Sequence, residues 1–319
     1  MYFPYLYGRK NELLALRDVS ADIQKLNITP VIEPAMAQPN GLVTCVQRLQ
    51  DVGSSLDLIF NPSQGQFGAG IPGTWRQPID ELIAAADVVK PTFQIVSDAD
   101  AAALPTFLQR FAGRSVGVVL RQPRISARDL ASLLKGRDAL VLVHTSANPR
   151  TYLRDLPTDL CVGVAASFDE QARNADFGDA EWFTADHLNF VTDGRPGFSD
   201  FGPLPTTFSL SGGPAGAVAI HLTHKAEDGT LWVQHFVSDT TDRDEGDVVS
   251  KIAEAVAKIA AEVTGDPDKF VETPGLRMFL ENRVLDLGSS KRQQLVHHFH
   301  TVADALSSQP ADSGAVDLD

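Results

Sequence analysis

The sequence is short of cysteine, of positive charge and of long apolar runs. Cys45 and Cys161 are the only cysteines in 319 residues. They lie too far apart to share a metal-ligand spacing, so reduced core thiols in a cytoplasmic protein are expected. No stretch approaches the ~18 apolar residues of a membrane helix, and no membrane partner is expected. The first ten residues place no basic segment ahead of a long apolar one, so a secretory leader is not expected. Lys and Arg number 27 against 41 Asp and Glu, a net charge of −14. Phosphate backbones would meet a repulsive field, which argues against broad, nonspecific nucleic-acid binding. Also missing are a Gly-x-Ser-x-Gly elbow, a Walker phosphate loop, a His-Glu-x-x-His helix and an early Gly-x-Gly-x-x-Gly turn.

What remains is ordinary globular composition, 43% hydrophobic and 21% charged, in a chain long enough to bury a core without staples. Apolar runs rich in β-branched residues alternate with helical patterns, the rhythm of parallel βα units. Strands are predicted at 2–6, 29–33, 56–61, 88–94, 115–121, 139–144 and 160–166. Runs such as Val-Gly-Val-Val-Leu carry no polar face, as strands buried on both sides require. Seven such units by about residue 168 leave one strand to complete an α/β fold of the (β/α)₈ TIM-barrel type. The eighth is expected at 217–224, with the stretch around 197–201 second.

The chain reads as one barrel-like domain over 1–308. Within it fall an irregular insertion at 169–216, a hairpin at 217–238 with Asp228-Gly229 at its turn, and C-terminal helices over 247–307. The acidic 309–319 reads as a disordered tail. Ser211-Gly212-Gly213-Pro214 precedes a strand rather than a helix, so it lacks the helix N-terminus of a phosphate loop.

Several apolar strands end in functional side chains: Glu33, Asn61, Lys90, Arg121 and His144. Barrel active sites lie where strand C-termini converge, so these five are expected on one rim. Pro62 and Pro91 hold the residues before them in extended conformations. Glu33, His144 and Asp200 are the catalytic candidates. Asn61, Lys90, Arg121, Arg173, His221 and His235 are candidate ligand or anion contacts. His221 and His235 can face each other across the hairpin with Asp200 or Asp239 nearby, but their spacing fits no metal signature. Neither a metal nor another cofactor is expected. His297, His298 and His300 read as a solvated helix face. Arg and Lys outnumber acids nine to three over 110–155, which suits either solvated helices or a local anion site.

Blocks spread over residues 2 to about 260 resemble the phage beta-protein-like family. The opening Tyr-Phe-Pro-Tyr-Leu at 2–6, with Gly8-Arg9 and Glu12-Leu13 behind it, is similar to that family's N-terminal signature. So are Pro30-Val31-Ile32-Glu33-Pro34, Asn61-Pro62, Arg173-Asn174-Ala175-Asp176, Gly197-Phe198-Ser199-Asp200-Phe201, the 217–221 block and His235-Phe236-Val237-Ser238-Asp239. The resemblance implies a barrel-like fold and genes near phage-related or defence-type loci, and it brings no assigned catalytic residues. Phe201 departs from it, since a tyrosine is expected there. Two functions stay open. One is a recognition or scaffold subunit of a defence or prophage-linked system, acting with a partner protein such as a nuclease. The other is an enzyme for a phosphorylated or nucleotide-like small molecule, with Arg121, Lys90 and Arg173 holding the anion and Glu33 or His144 as general base.

Overall fold

The apolar runs form the strands that their composition predicts. The computed structural model describes residues 1–147, 149–208 and 216–308. The glycine-rich Ser211-Gly212-Gly213-Pro214 and the expected tail lie outside the described residues. The first part of the chain alternates β1 (Tyr5–Leu6), α1 (Lys10–Val19), β2 (Val31–Ile32), α2 (Asn40–Asp51), β3 (Leu56–Ile59), α3 (Gly73–Ala85) and β4 (Val89–Ile95). It continues through α4 (Asp98–Arg110), β5 (Val116–Leu120), α5 (Ala127–Leu134), β6 (Ala139–His144), α6 (Pro149–Asp155) and β7 (Cys161–Ala165). Then come β8 (Ala180–Thr184), α7 (Asp186–Asn189), β9 (Ser199–Asp200), β10 (Ala219–Lys225), β11 (Leu231–Val237), α8 (Val248–Gly265), α9 (Pro274–Leu280) and α10 (Leu287–Ser307).

Eight strands, in the order β1-β2-β3-β4-β5-β6-β7-β9, form one all-parallel sheet. Its two edges meet. Tyr2 bridges Phe198 in parallel; the Phe3 N–H donates to the Phe198 carbonyl at 2.9 Å, and the Phe198 N–H to the Met1 carbonyl at 3.1 Å. The sheet is thus a closed (β/α)₈ barrel. Alternation sorts the side chains: Val119, Leu140, Leu142, Val162 and Val164 fill the lumen with Phe3, Tyr5 and Phe201. Leu56, Leu58, Val116, Val118 and Val141 face outward into the helix layer. Both faces are dry, which is why these strands read as unbroken apolar runs. Cys45 and Cys161 are buried free thiols.

The eighth strand corrects the sequence reading. It is β9, the second choice, and not the 217–224 segment. β10 and β11 are the expected hairpin, but they pair antiparallel, and β11 pairs β8 in a separate three-stranded sheet. β8 and α7 lie inside the supposedly irregular insertion. After the barrel's last strand the chain adds β10 and β11 to the earlier β8, follows with α8 and α9, then returns as α10 to pack against α1, α9 and β10. The return is fixed at the α1 contact by the ion pair of Arg292 with Asp18 and at the start by Asp286, whose carboxylate accepts from the Gly288 and Ser289 N–H groups.

α10 is not solvated on its histidine face, contrary to expectation. His297 and His298 are fully buried. His297 Nδ1 meets Thr273 Oγ1 at 2.8 Å and its Nε2 the Thr223 carbonyl at 2.8 Å. His298 meets Thr223 Oγ1 at 2.7 Å and the Tyr2 hydroxyl at 2.9 Å.

Closure of the barrel depends on Gly197. A Cβ there would stand 2.0 Å from the Met1 carbonyl oxygen and 2.8 Å from the Phe3 ring. Gly197→Ala is therefore expected to force the seam apart and cost at least about 1–3 kcal/mol. Gly178→Ala, with nothing within 4 Å of the added methyl, should be near neutral. Denaturant unfolding of both variants checks this; equal midpoints would contradict the seam.

Candidate functional site at the barrel mouth

The β1 and β2 ladder runs one residue beyond the strands, with the Glu33 N–H bonded to the Leu6 carbonyl at 2.8 Å. Glu33 is thereby held at the C-terminal rim, pointing inward. Arg121 follows β5 and His144 ends β6, so the same alternation turns all three toward the lumen. Glu33 is 0% exposed. Its Oε2 accepts from the Tyr5 hydroxyl at 2.7 Å and from Arg121 Nη1 at 2.5 Å. Its Oε1 is buried with no partner. Burial works against the Arg121 charge, but Tyr5, Glu33 and Tyr7 around it outweigh that, and its pKa lies above the ordinary value. Tyr5 is pushed well up, by burial first and the Glu33 charge second, so it stays a hydroxyl donor.

His144 stands across the Tyr5 ring, centroids 6.3 Å apart. Its Nδ1 lies 3.1 Å from the Ser146 N–H, which can only donate, and 2.7 Å from Ser146 Oγ. Nδ1 is therefore the acceptor and the ring proton sits on Nε2. That Nε2 is buried and unpartnered. Burial and then the Arg121 charge bring the His144 pKa down to about 3, so the ring is neutral at physiological pH.

A cover lies over this group. Phe201 packs on Tyr5, Tyr7 and His144 at centroid distances of 5.0, 5.8 and 5.5 Å. The hydroxyl that the resemblance implies at Phe201 is thus missing from the mouth itself. The Tyr7 hydroxyl donates to the Thr206 carbonyl at 2.5 Å, and Phe208 sits on the Tyr7 ring at 5.4 Å. Arg9, which sequence reasoning passed over, lies over Phe208 at 4.6 Å, with its Nε 3.8 Å from the Glu12 carboxylate and its Nη2 buried without a hydrogen-bond partner. Its position directly after β1 and Gly8 was the available signal.

The other candidates separate. Lys90 is on the opposite side of the barrel: β4 runs on to Ile95, so Lys90 is near its start, 3.7 Å from buried Asp57. Asn61 is on the rim, but its amide is spent on the Gln94 backbone, accepting from N–H at 2.8 Å and donating to the carbonyl at 2.9 Å. It pins β3 to β4. Asp200 points out of the barrel. Its Oδ1 accepts from the Tyr2 hydroxyl at 2.6 Å and the Gly202 N–H at 2.7 Å, with His298 at 3.7 Å. Its Oδ2 is buried without a hydrogen-bond partner, but it lies outside the mouth cluster. Arg173 does not pair with it; its side chain is 77% exposed and bonded to Asp176.

His221 and His235 do face each other, Nδ1 to Nδ1 at 2.8 Å. Neither Asp200 nor Asp239 joins them. Glu181 is the carboxylate nearest His235, at 3.8 Å, while Asp239 pairs with Lys258 at 2.7 Å. Burial holds the His221 pKa well below its usual value and brings His235 to about 4, so both are neutral and one donates to the other. Among the described residues, no group of three or more His, Cys, Asp or Glu could hold a metal ion, and no helix is long and apolar enough to cross a membrane.

No family model matches the chain. No curated protein matches it. A solved structure described as D-psicose 3-epimerase in the presence of D-fructose is similar over 66% of this chain and 86% of that one, at 12% identity and a TM-score of 0.35. The eight-stranded parallel barrel of this chain stands on its own strand order.

Proposed function

We propose that this chain is an enzyme acting on a polar small molecule, phosphorylated or nucleotide-like, at the C-terminal mouth of its barrel. The observation that carries this is the pair of orphaned atoms, Glu33 Oε1 and His144 Nε2, buried within one cluster tied together by Tyr5 and Arg121. Buried polar atoms are nearly always partnered, and exceptions ask for a functional explanation. Glu33 is the proton acceptor: Tyr5 and Arg121 fix one oxygen and leave the other free to take a substrate proton and return it to product. His144 is the better donor. A base with a pKa of about 3 is too weak to remove a proton at neutral pH, but its neutral Nε2–H can hold a substrate oxygen as negative charge develops there. This departs from the expectation that either residue could be the base. Arg121 is committed to Glu33, so its part is to position that carboxylate.

The scaffold reading, a recognition subunit in a defence or prophage-linked system, rests on the resemblance to the phage beta-protein-like family. No observation at the mouth favours it, since a scaffold has no use for the cluster. The experiment is a turnover panel: purified protein with sugar phosphates, nucleotides and their unphosphorylated counterparts, followed by proton and phosphorus NMR. Conversion of a phosphorylated compound is the expected result. A silent panel, with a partner protein captured in stoichiometric amount from cells, would favour the scaffold.

A further inference from the structure

Beside the covered mouth lies an open cleft of about 590 Å³, walled by the loop after β7, the segment after β9 and the first turns of α10. Its lining is net positive. Arg173, Arg243 and Lys291 line it against one carboxylate, Glu170, an excess of positive charge in a chain of net −14. Arg173 is held at the rim by Asp176. Among the described residues, Arg243 and Lys291 have no hydrogen-bond or ion-pair partner. Both side chains are exposed where they line the cleft, so neither has to break an ion pair to meet an anion that enters it. The Phe168 and Phe177 rings form an apolar wall in the same cleft.

We infer that this cleft binds the phosphate group of an organic phosphate through Arg243 and Lys291, with Arg173 at the rim and the organic body against Phe168 and Phe177. The guanidinium offers a planar fork that matches phosphate oxygens, and the ammonium adds a mobile point charge. The anion site thus differs from the expected set: Lys90 is on the far side of the barrel and Arg121 is bound to Glu33. Pro203, Leu204 and Pro205 line the cleft and belong to the segment that covers Glu33, so a ligand anchored here lies next to that cover. The inference deepens the enzymatic reading by naming the group the substrate carries, yet its test reads binding without turnover.

The test is calorimetric titration of the full chain with AMP, inorganic phosphate and adenosine at low salt. AMP is expected to bind, adenosine to bind at least roughly tenfold more weakly, and added salt to weaken AMP. Arg243→Ala and Lys291→Ala should each weaken AMP roughly tenfold. Glu170→Gln should tighten it, and exposed Arg128→Ala on α5 should change nothing. Thermal unfolding of each variant excludes a folding defect. Phosphate binding alone, lost in the same two variants, supports the anion site and identifies its ligand as the free ion. Binding of neither anion, equal affinity for AMP and adenosine, or affinity indifferent to both substitutions overturns the inference. A Glu33→Gln protein that is inactive but binds AMP normally separates this site from the catalytic reading.

Discussion

Arg121→Met is expected to destabilise the protein by about 3–5 kcal/mol, because it leaves the Glu33 carboxylate buried without its cation. Glu33 is fully buried and would keep only the Tyr5 hydroxyl. A surface ion pair would cost under about 1 kcal/mol, so the magnitude reports burial. Glu33→Gln should cost less than Arg121→Met, since the guanidinium retains some access to solvent, at 13% side-chain exposure. The double variant should recover much of the loss, as removing both charges removes the uncompensated one. Guanidinium unfolding of the four proteins gives the coupling directly. A cost below about 1 kcal/mol for Arg121→Met would mean that Glu33 is neutral or solvated in the native state.

Acid is the second large effect. His144, His235 and His297 have pKa values brought down from 6.5 to about 3, 4 and 4, in each case by burial first. The unfolded chain therefore binds protons at these positions before the native one does. Their contribution to stability is complete above pH 6.5 and is lost as pH falls from there toward 4. Each group contributes a slope of about 1.4 kcal/mol per pH unit, and the three together about 4. Buried carboxyls with raised pKa values, Glu12, Asp57 and Asp186, act in the opposite sense and offset part of this. The net expectation is a steep loss of stability between pH 6.5 and 4.5, measured by denaturant unfolding at several pH values. A flat profile would show that these imidazoles are hydrated.

Much of the fold was legible because seven barrel strands are buried on both faces, so most of their positions are apolar. The eighth was hidden for the same physical reason in reverse. β9 is two residues long and carries Ser199 and Asp200, whose polar atoms are satisfied by the Phe3 carbonyl and the Tyr2 hydroxyl. Nothing local marks such a strand. The 217–224 segment has far stronger strand character, but composition does not say which sheet a strand joins. Lys90 misled because polar side chains, Lys90, Thr92 and Gln94, recur along β4 from its start. Thr92 Oγ1 donates to Asp57 at 3.0 Å, and Gly117 leaves room for the pair. This lumen tolerates a polar layer that resembles a strand end.

Of the site, Glu33, Arg121 and His144 were legible as strand termini. Their partners were not. Tyr5 reads as a strand aromatic and Arg9 carried no site reading; pairing of β1 with β2 brings Tyr5 to Glu33, and the segment after β9 brings the cover to Tyr5, Tyr7 and Arg9. Arg243 and Lys291 are some fifty residues apart in separate elements, so no motif could join them.

The central claim is that Glu33 transfers a proton at the mouth. It is tested most directly by the turnover ratio of wild type to Glu33→Gln on whichever panel compound is converted, with stability and AMP affinity measured on the same preparations. A general base contributes about 10²–10⁴ in rate, so the ratio should exceed about 100 while AMP affinity stays within roughly twofold. A ratio near one would contradict the account and leave Glu33 as the buried partner of Arg121 alone.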